Sequence, residues 1–192
     1  MRIGKVQRVT KETEILAEIN IDGKGKSSIE SGIGFLDHML ELFAFHGKFI
    51  LKLCCNGDLN VDSHHTVEDI GIAIGTAIKE ALGDNKGIKR YSSLSIPMDE
   101  SLCNIALDIS NRAYLVFNLK FGRENIGTIA TEDFREFFRA LASSWGVTLH
   151  IDVPYGENDH HKIEAVFKAF GRALREAVEI VSNEIPSSKG VL

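Results

Sequence analysis

Two adjacent histidines with a glutamate three residues on occur twice in this 192-residue chain, as His64-His65-Thr66-Val67-Glu68-Asp69 and His160-His161-Lys162-Ile163-Glu164-Ala165. Each copy has an acidic residue close upstream and opens an apolar-periodic segment. With His38 these motifs hold five of the seven histidines, so the chemistry of the chain is concentrated in them. Imidazole and carboxylate at helical spacing are metal ligands, and two copies imply two ions. On a helix, positions i and i+4 share a face. His64 with Glu68, and His160 with Glu164, can therefore each chelate one ion. The neighbours His65 and His161 point about 100° away around the helix and cannot serve the same ion as their own motif. If the two motif helices lie side by side, each spare histidine faces the other motif's ion. One ion then takes His64, Glu68 and His161, and the other His160, Glu164 and His65. The helix preceding each motif can add a fourth ligand, His38 in the first half and Glu136 in the second, with His150 competing for the latter role. Mixed imidazole and carboxylate without thiolate suits Mn, Fe, Ni or Zn, the carboxylates favouring Mn in a six-coordinate site. Four protein ligands on such an ion leave positions for substrate, which is the arrangement of a catalytic rather than a closed structural site. A single His-His pair is common by chance; two in register at the heads of amphipathic helices are not.

The elements that must position these residues read as one unit written twice. Residues Ile3 to Thr10 and Glu14 to Ile21 alternate as strands around the corner Lys11-Glu12-Thr13, and Asp22 to Lys26 is a turn. Ile29 to Gly34 reads as loop, Phe35 to Phe45 as a helix closed by His46-Gly47, and Phe49 to Cys55 as a strand followed by a turn at Asn56-Gly57-Asp58. His64 to Leu82 is a helix ended by Gly83. In the second half, Leu94 to Pro97 and Leu102 to Ile109 are strands around Met98-Asp99-Glu100-Ser101, and Ala113 to Leu119 is a further strand. Thr131 to Trp145 is a helix, Val147 to Val153 a strand, and His160 to Val181 a helix. The strand patterns of the halves superpose at an offset of 88 and the motifs at 96, which places an insertion in the second copy before its first helix. A repeat of about 95 residues is too long for a solenoid unit. The expected fold is α+β, a tandem duplication with pseudo-repeats of about 1–91 and 92–192 fused in a single domain.

Composition sets limits. A net charge of −5 gives no footprint for nucleic acid or an anionic membrane, and no apolar run is long enough to span a bilayer. Met1-Arg2-Ile3-Gly4-Lys5 lacks an apolar signal segment, so the expected location is cytoplasmic. The three cysteines, two of them adjacent at Cys54-Cys55, read as reduced core residues rather than a disulfide set.

Several stretches together resemble the imidazoleglycerol-phosphate dehydratase family of histidine biosynthesis. They are Gly34-Phe35-Leu36-Asp37-His38-Met39-Leu40, Asp62 to Asp69, Asn158 to Ala165 and the terminal Pro186-Ser187-Ser188-Lys189-Gly190. The resemblance runs in order along nearly the whole chain and is to the monofunctional form. It implies two fused β-β-β-α-β-α halves with the helices bundled between two sheets. It also implies a large homo-oligomer, typically of 24 subunits, with two Mn ions per active site between subunits. The ligands it implies are His38, His64, His65, Glu68, His160, His161 and Glu164. Many members carry histidine where this chain has Glu136, and a carboxylate can replace imidazole on Mn. The implied reaction is a dehydration to imidazoleacetol phosphate, with the substrate's imidazole held by the metals as imidazolate so that the neighbouring hydroxyl can leave. The resemblance places the proton-moving residue at Glu12, with Glu100 as its counterpart in the repeat. The phosphate contacts it implies are Arg90, Arg112, Ser187, Ser188 and Lys189. His46, closing the first helix beside the site, is a candidate substrate contact, with a purely structural role at the helix end as the alternative. His38, His64, His65 and Glu68 would touch substrate through the same site.

Two other classes compete on the residues alone. A dinuclear metal-dependent phosphoester hydrolase would use the same ligands. A non-enzymatic metal-binding module would close its sites, and the arginines with Ser-Ser-Lys speak against that.

Overall fold

The computed structural model describes residues 1–23 and 25–192; Lys24, within the expected turn at Asp22 to Lys26, lies outside them. The first half runs β1 (Ile3–Val9), β2 (Thr13–Asn20), β3 (Ser28–Glu30), α1 (Gly34–Gly47), β4 (Ile50–Gly57) and α2 (His64–Leu82). The second runs β5 (Tyr91–Met98), β6 (Ser101–Ile109), β7 (Tyr114–Asn118), a short hairpin β8 (Asn125–Ile126) and β9 (Ile129–Ala130), α3 (Asp133–Trp145), β10 (Val147–Tyr155) and α4 (Asp159–Ala177).

The duplication is explicit in the sheets. One has the order β1-β2-β4-β3 and the other β5-β6-β10-β7, each antiparallel apart from a parallel last pair, β3 on β4 and β7 on β10. The β8–β9 hairpin is the insertion that the change of offset locates before the second half's first helix. Along β2 and β6, alternate residues Ile15, Ala17 and Ile19, and Cys103, Ile105 and Leu107, are buried against the helices.

Each half's second helix lies on its own sheet, α2 on β1 and β2 and α4 on β5 and β6, while the helices pair across halves, α2 with α3 and α1 with α4. Phenylalanines join α3 to α4, with Phe137 and Phe167 ring centroids 5.5 Å apart and Phe138 edge-on to Phe170 at 5.6 Å. The helices are thus bundled between the two sheets. The helix pairs approach at glycines 96 positions apart. A Cβ on Gly171 of α4 would lie 2.4 Å from the Phe43 carbonyl oxygen of α1, and one on Gly75 of α2 would lie 2.5 Å from the Leu141 carbonyl oxygen of α3.

Four sequence expectations need correction. The stretch from Ile29 is not all loop, because Ser28–Glu30 pairs in parallel with β4; three residues carry too little alternation to reveal a strand. β4 runs on to Gly57, so the turn follows it rather than beginning at Asn56. α4 stops at Ala177, and Glu179 to Ser182 pair instead with the Gly87 to Lys89 segment through backbone hydrogen bonds. Cys54 is exposed on the outer face of its sheet rather than in the core, as strand alternation next to Cys55 requires.

Candidate active site

Both motifs sit in the first turn of their helices, and their entry is built the same way twice. The His64 backbone N–H donates to Asp62 Oδ1 at 2.9 Å, and the His160 N–H donates to Asn158 Oδ1 at 3.0 Å. Asp62 and Asn158 are 96 positions apart, so the side-chain oxygen that accepts from the first histidine's N–H is part of the repeat, although only Asn158 is the N-cap of its helix.

The motif helices α2 and α4 pack on α3 and α1, not on one another, and this changes the ligand grouping within the chain. His38 from α1 joins His160 and Glu164 from α4, their donor atoms all within 4.8 Å of one another. His160 Nε2 is 3.1 Å from Glu164 Oε2, and Phe35 sits edge-on to the His160 ring at 5.0 Å, fixing its tilt. The equivalent trio on the other helix pair is Glu136 from α3 with His64 and Glu68 from α2. His64 Nε2 lies 4.0 Å from Glu68 Oε2, and Arg139 bridges Glu68 and Glu136 at 2.6 and 2.5 Å. Imidazole and carboxylate donors without thiolate, converging from two helices, suit a hard or borderline divalent cation such as Mn. Burial alone would raise the Glu164 carboxyl's pKa, but the Lys168 ammonium at 2.6 Å, with His160 and His38, holds it below the ordinary range.

The expected in-chain sharing, His161 with the His64 ion and His65 with the His160 ion, does not occur. His65 turns its Nδ1 to Asp58 Oδ2 at 3.0 Å, and His161 turns its Nδ1 to Glu100 Oε2 at 2.7 Å. These hydrogen bonds raise the pKa of both imidazoles. A carboxylate on Nδ1 fixes the ring and leaves Nε2 as the outward donor, which is how metal-bound histidines are commonly oriented. His150 is exposed on β10 between inward-facing Leu149 and Ile151, on the sheet face away from the helices. It cannot replace Glu136 in the trio of its own chain.

Glu12 reaches the motif through its corner. Buried Asp69 of α2 accepts from the Thr13 hydroxyl at 2.5 Å and from Arg8 at 2.8 Å, pinning the β1–β2 corner to the helix. Glu12 Oε1 is thereby brought to 3.9 Å from His65 Nε2, with its side chain 52% exposed. Its counterpart Glu100 is fully engaged. Glu100 accepts from His161, from the backbone N–H groups of Glu157 and Asn158 and from the Ser101 hydroxyl, and the bonds from His161, then Asn158, drive its carboxyl far below the ordinary range. Of the two corner carboxylates, Glu12 is the less engaged by hydrogen bonds.

Arg90, Arg112, Ser187, Ser188 and Lys189 line one cavity of about 470 Å³ with Tyr91 and Ser110. Arg90 forms its wall, held at a left-handed φ of 76° with its guanidinium on Asp108 at 2.6 Å and on the Pro186 carbonyl oxygen at 2.8 Å. Arg112 is 69% exposed, with Nη2 3.8 Å from Asp108 Oδ2, and lines the cavity with Lys189 as a second cation. β6 separates this cavity from the motifs, with Glu100 and His161 at one end and Asp108 at the other, about 25 Å away at strand rise. His46 ends α1 in a different cavity of about 540 Å³, and burial, followed by the charges of Lys168 and Arg172, pushes its pKa down. Sequence reasoning missed Asp58, Arg139 and Lys168 as partners of the motif residues, and also Asp133, whose Oδ1 lies 3.2 Å from His64 Nδ1. Arg139 at i+3 from Glu136 and Lys168 at i+4 from Glu164 carry a spacing signal; Asp58, in a turn, carries none.

Residues 31–174 match the profile of the imidazoleglycerol-phosphate dehydratase family. The chain belongs to that family. An imidazoleglycerol-phosphate dehydratase of Clostridioides difficile is 67% identical over 192 residues, covering 100% of both chains. One from Clostridium botulinum is 57% identical, covering 100% of this chain and 98% of that one. Among solved structures, the dehydratase of Staphylococcus aureus superposes with a TM-score of 0.85 at 44% identity, covering 93% of this chain and 99% of that one. That of Pyrococcus furiosus gives 0.85 at 37% identity, covering 97% and 100%. The two-sheet fold of the duplicated halves is the family's fold. Among the described residues no helix is long and apolar enough to cross a membrane.

Proposed function

We propose that this protein is a hydro-lyase that dehydrates D-erythro-imidazoleglycerol phosphate to imidazoleacetol phosphate in histidine biosynthesis. The observation that carries the reading is family membership along the full chain, at 67% identity to a named dehydratase. The family profile and the named relatives are dehydratases, not phosphoester hydrolases.

Each active site is read as shared between subunits, the α2 motif of one chain facing the α4 motif of a neighbour. His161 would then complete the ion held by the neighbour's Glu136, His64 and Glu68. His65 would complete the ion held by the neighbour's His38, His160 and Glu164. Three features support this reading: the two motifs pack on different helices, the spare histidines direct Nε2 outward, and the cavity of Arg90 and Arg112 is remote from both. We read the assembly as a large homo-oligomer on the family's 24-subunit plan, and the ions as two Mn per site. Bound there, the metals would act as Lewis acids that hold the substrate's imidazole and ease loss of the adjacent hydroxyl. Glu12, exposed and beside His65, takes the proton from the neighbouring carbon and returns it to form the ketone. Arg112, Lys189 and the two serines hold the phosphate, and Arg90 fixes the segment that carries them. His46 is assigned a lesser substrate contact. Free thiols at Cys54, Cys55 and Cys103 accord with a cytoplasmic location.

The test is Mn-dependent formation of the enolisable ketone from imidazoleglycerol phosphate, with free phosphate followed in parallel. Ketone without phosphate release is expected; phosphate without ketone would replace the lyase by the hydrolase.

A further inference from the structure

The two trios descend from one repeat, yet they are not equally assembled. On α1 and α4 the donors of His38, His160 and Glu164 already converge within 4.8 Å. On α2 and α3, Arg139 stands between the equivalent residues, its Nε donating to Glu136 Oε2 at 2.5 Å and its Nη2 to Glu68 Oε1 at 2.6 Å. At the helix offset of 98 that relates His38 to Glu136, the counterpart of Arg139 is Glu41, so this cation has no equivalent in the other trio. Lys168 is the nearest analogue there, but it holds one oxygen of Glu164 and leaves the other 3.1 Å from His160. The planar fork of arginine is what allows one side chain to hold two carboxylates. Glu136 adds a negative charge where its counterpart His38 is an imidazole, and Arg139 one helical turn on cancels it.

We propose that Arg139 makes the two cation sites unequal. The His38, His160 and Glu164 site takes its divalent cation first and more tightly. At the other site Arg139 is a positioning residue, holding Glu68 and Glu136 and lowering their affinity for a cation. This rests on the reading above that each trio holds a divalent cation. A guanidinium sharing both carboxylates with a doubly charged ion a few ångströms away weakens binding by roughly tenfold to a hundredfold at surface-like dielectric.

The experiment is titration of the metal-stripped, full-length assembled protein with Mn²⁺, free ion being read from its paramagnetic resonance signal. The wild type is expected to bind two ions per chain in two affinity classes. Arg139→Gln should tighten the weaker class by about tenfold or more and leave the tighter one in place. Arg139→Lys, which keeps the charge but not the fork, should fall between. Arg139 is exposed, so neither variant is expected to alter the fold, and unchanged circular dichroism will establish that. Two equal classes in the wild type, or a weaker class that Arg139→Gln leaves unmoved, would overturn the inference. A total below two ions per chain, or His38→Ala leaving both classes intact, would instead overturn the underlying assignment of the sites, and this inference with it.

Discussion

Replacing Gly171 by alanine would put a methyl carbon 2.4 Å from the Phe43 carbonyl oxygen and 3.0 Å from the Gly47 nitrogen. Both are backbone atoms of α1, so no side-chain rotation relieves the contact. Reaching an ordinary separation requires α1 and α4 to part by about 1 Å. Overpacking of this kind costs up to about 3 kcal/mol, and alanine returns about 1 kcal/mol relative to glycine in a helix interior. A net loss of about 2 kcal/mol lowers Tm by about 4–8 °C for a chain of this size. The assay is thermal unfolding by circular dichroism in excess chelator at fixed protein concentration, so that neither metal nor mass action moves the midpoint. Mn affinity should fall as well, because His38 stands on one side of the widened gap and His160 and Glu164 on the other. A Gly171→Ala variant that melts at or above the wild type would refute the claim that close backbone approach sets the geometry of the trio.

Glu12→Gln is expected to keep the metal content and lose about 10²–10⁴-fold in kcat, the usual worth of a positioned proton carrier; unchanged turnover would remove Glu12 from the reaction. Glu100→Gln should instead lower metal content, since it frees the His161 ring, and loss of turnover at full metal loading would contradict that division of roles. Arg112→Ala should raise KM far more than it lowers kcat, as expected of a phosphate contact. His64→Ala should reduce bound metal and the size of the assembly together, measured by metal analysis and light scattering; a full-sized, fully metallated particle would contradict it. Hydrogen bonds from Lys89 and then Ser92 depress the Glu176 carboxyl. Its contribution to stability is therefore present above the unfolded glutamate value of about 4.3 and lost as pH falls through the lower folded value. Glu176→Gln should destabilise at pH 7, and the difference from wild type should shrink in acid unfolding below that point.

The repeat, the helices and the ligand set are legible in the sequence because each has a period. Apolar spacing finds α2 from His64 to Leu82 to the residue, and the change of offset locates the β8–β9 insertion. The i to i+4 spacing brings His64 to Glu68 and His160 to Glu164. What is illegible depends on contacts between distant segments. Nothing local shows that α2 chooses α3, and α4 chooses α1, as neighbours, so side-by-side packing of the motifs looked reasonable and is wrong within the chain. The carboxylates on His65 and His161 come from a turn and a strand corner with no period of their own. Glu12 is recognisable only through the family resemblance; its distinction from Glu100 needed the hydrogen bonds that engage one and spare the other.

The central claim, that each active site joins the α2 motif of one subunit to the α4 motif of another, is tested most directly by mixing two inactive variants. One carries His64→Ala with His65→Ala and the other His160→Ala with His161→Ala, dissociated, combined in equal amounts and reassembled with Mn²⁺. If the motifs meet between chains, random mixing leaves intact both halves of about a quarter of the sites, and about a quarter of wild-type ketone formation returns. If both motifs of a site came from one chain, every site would keep a damaged half, and the mixture would stay as inactive as its parts.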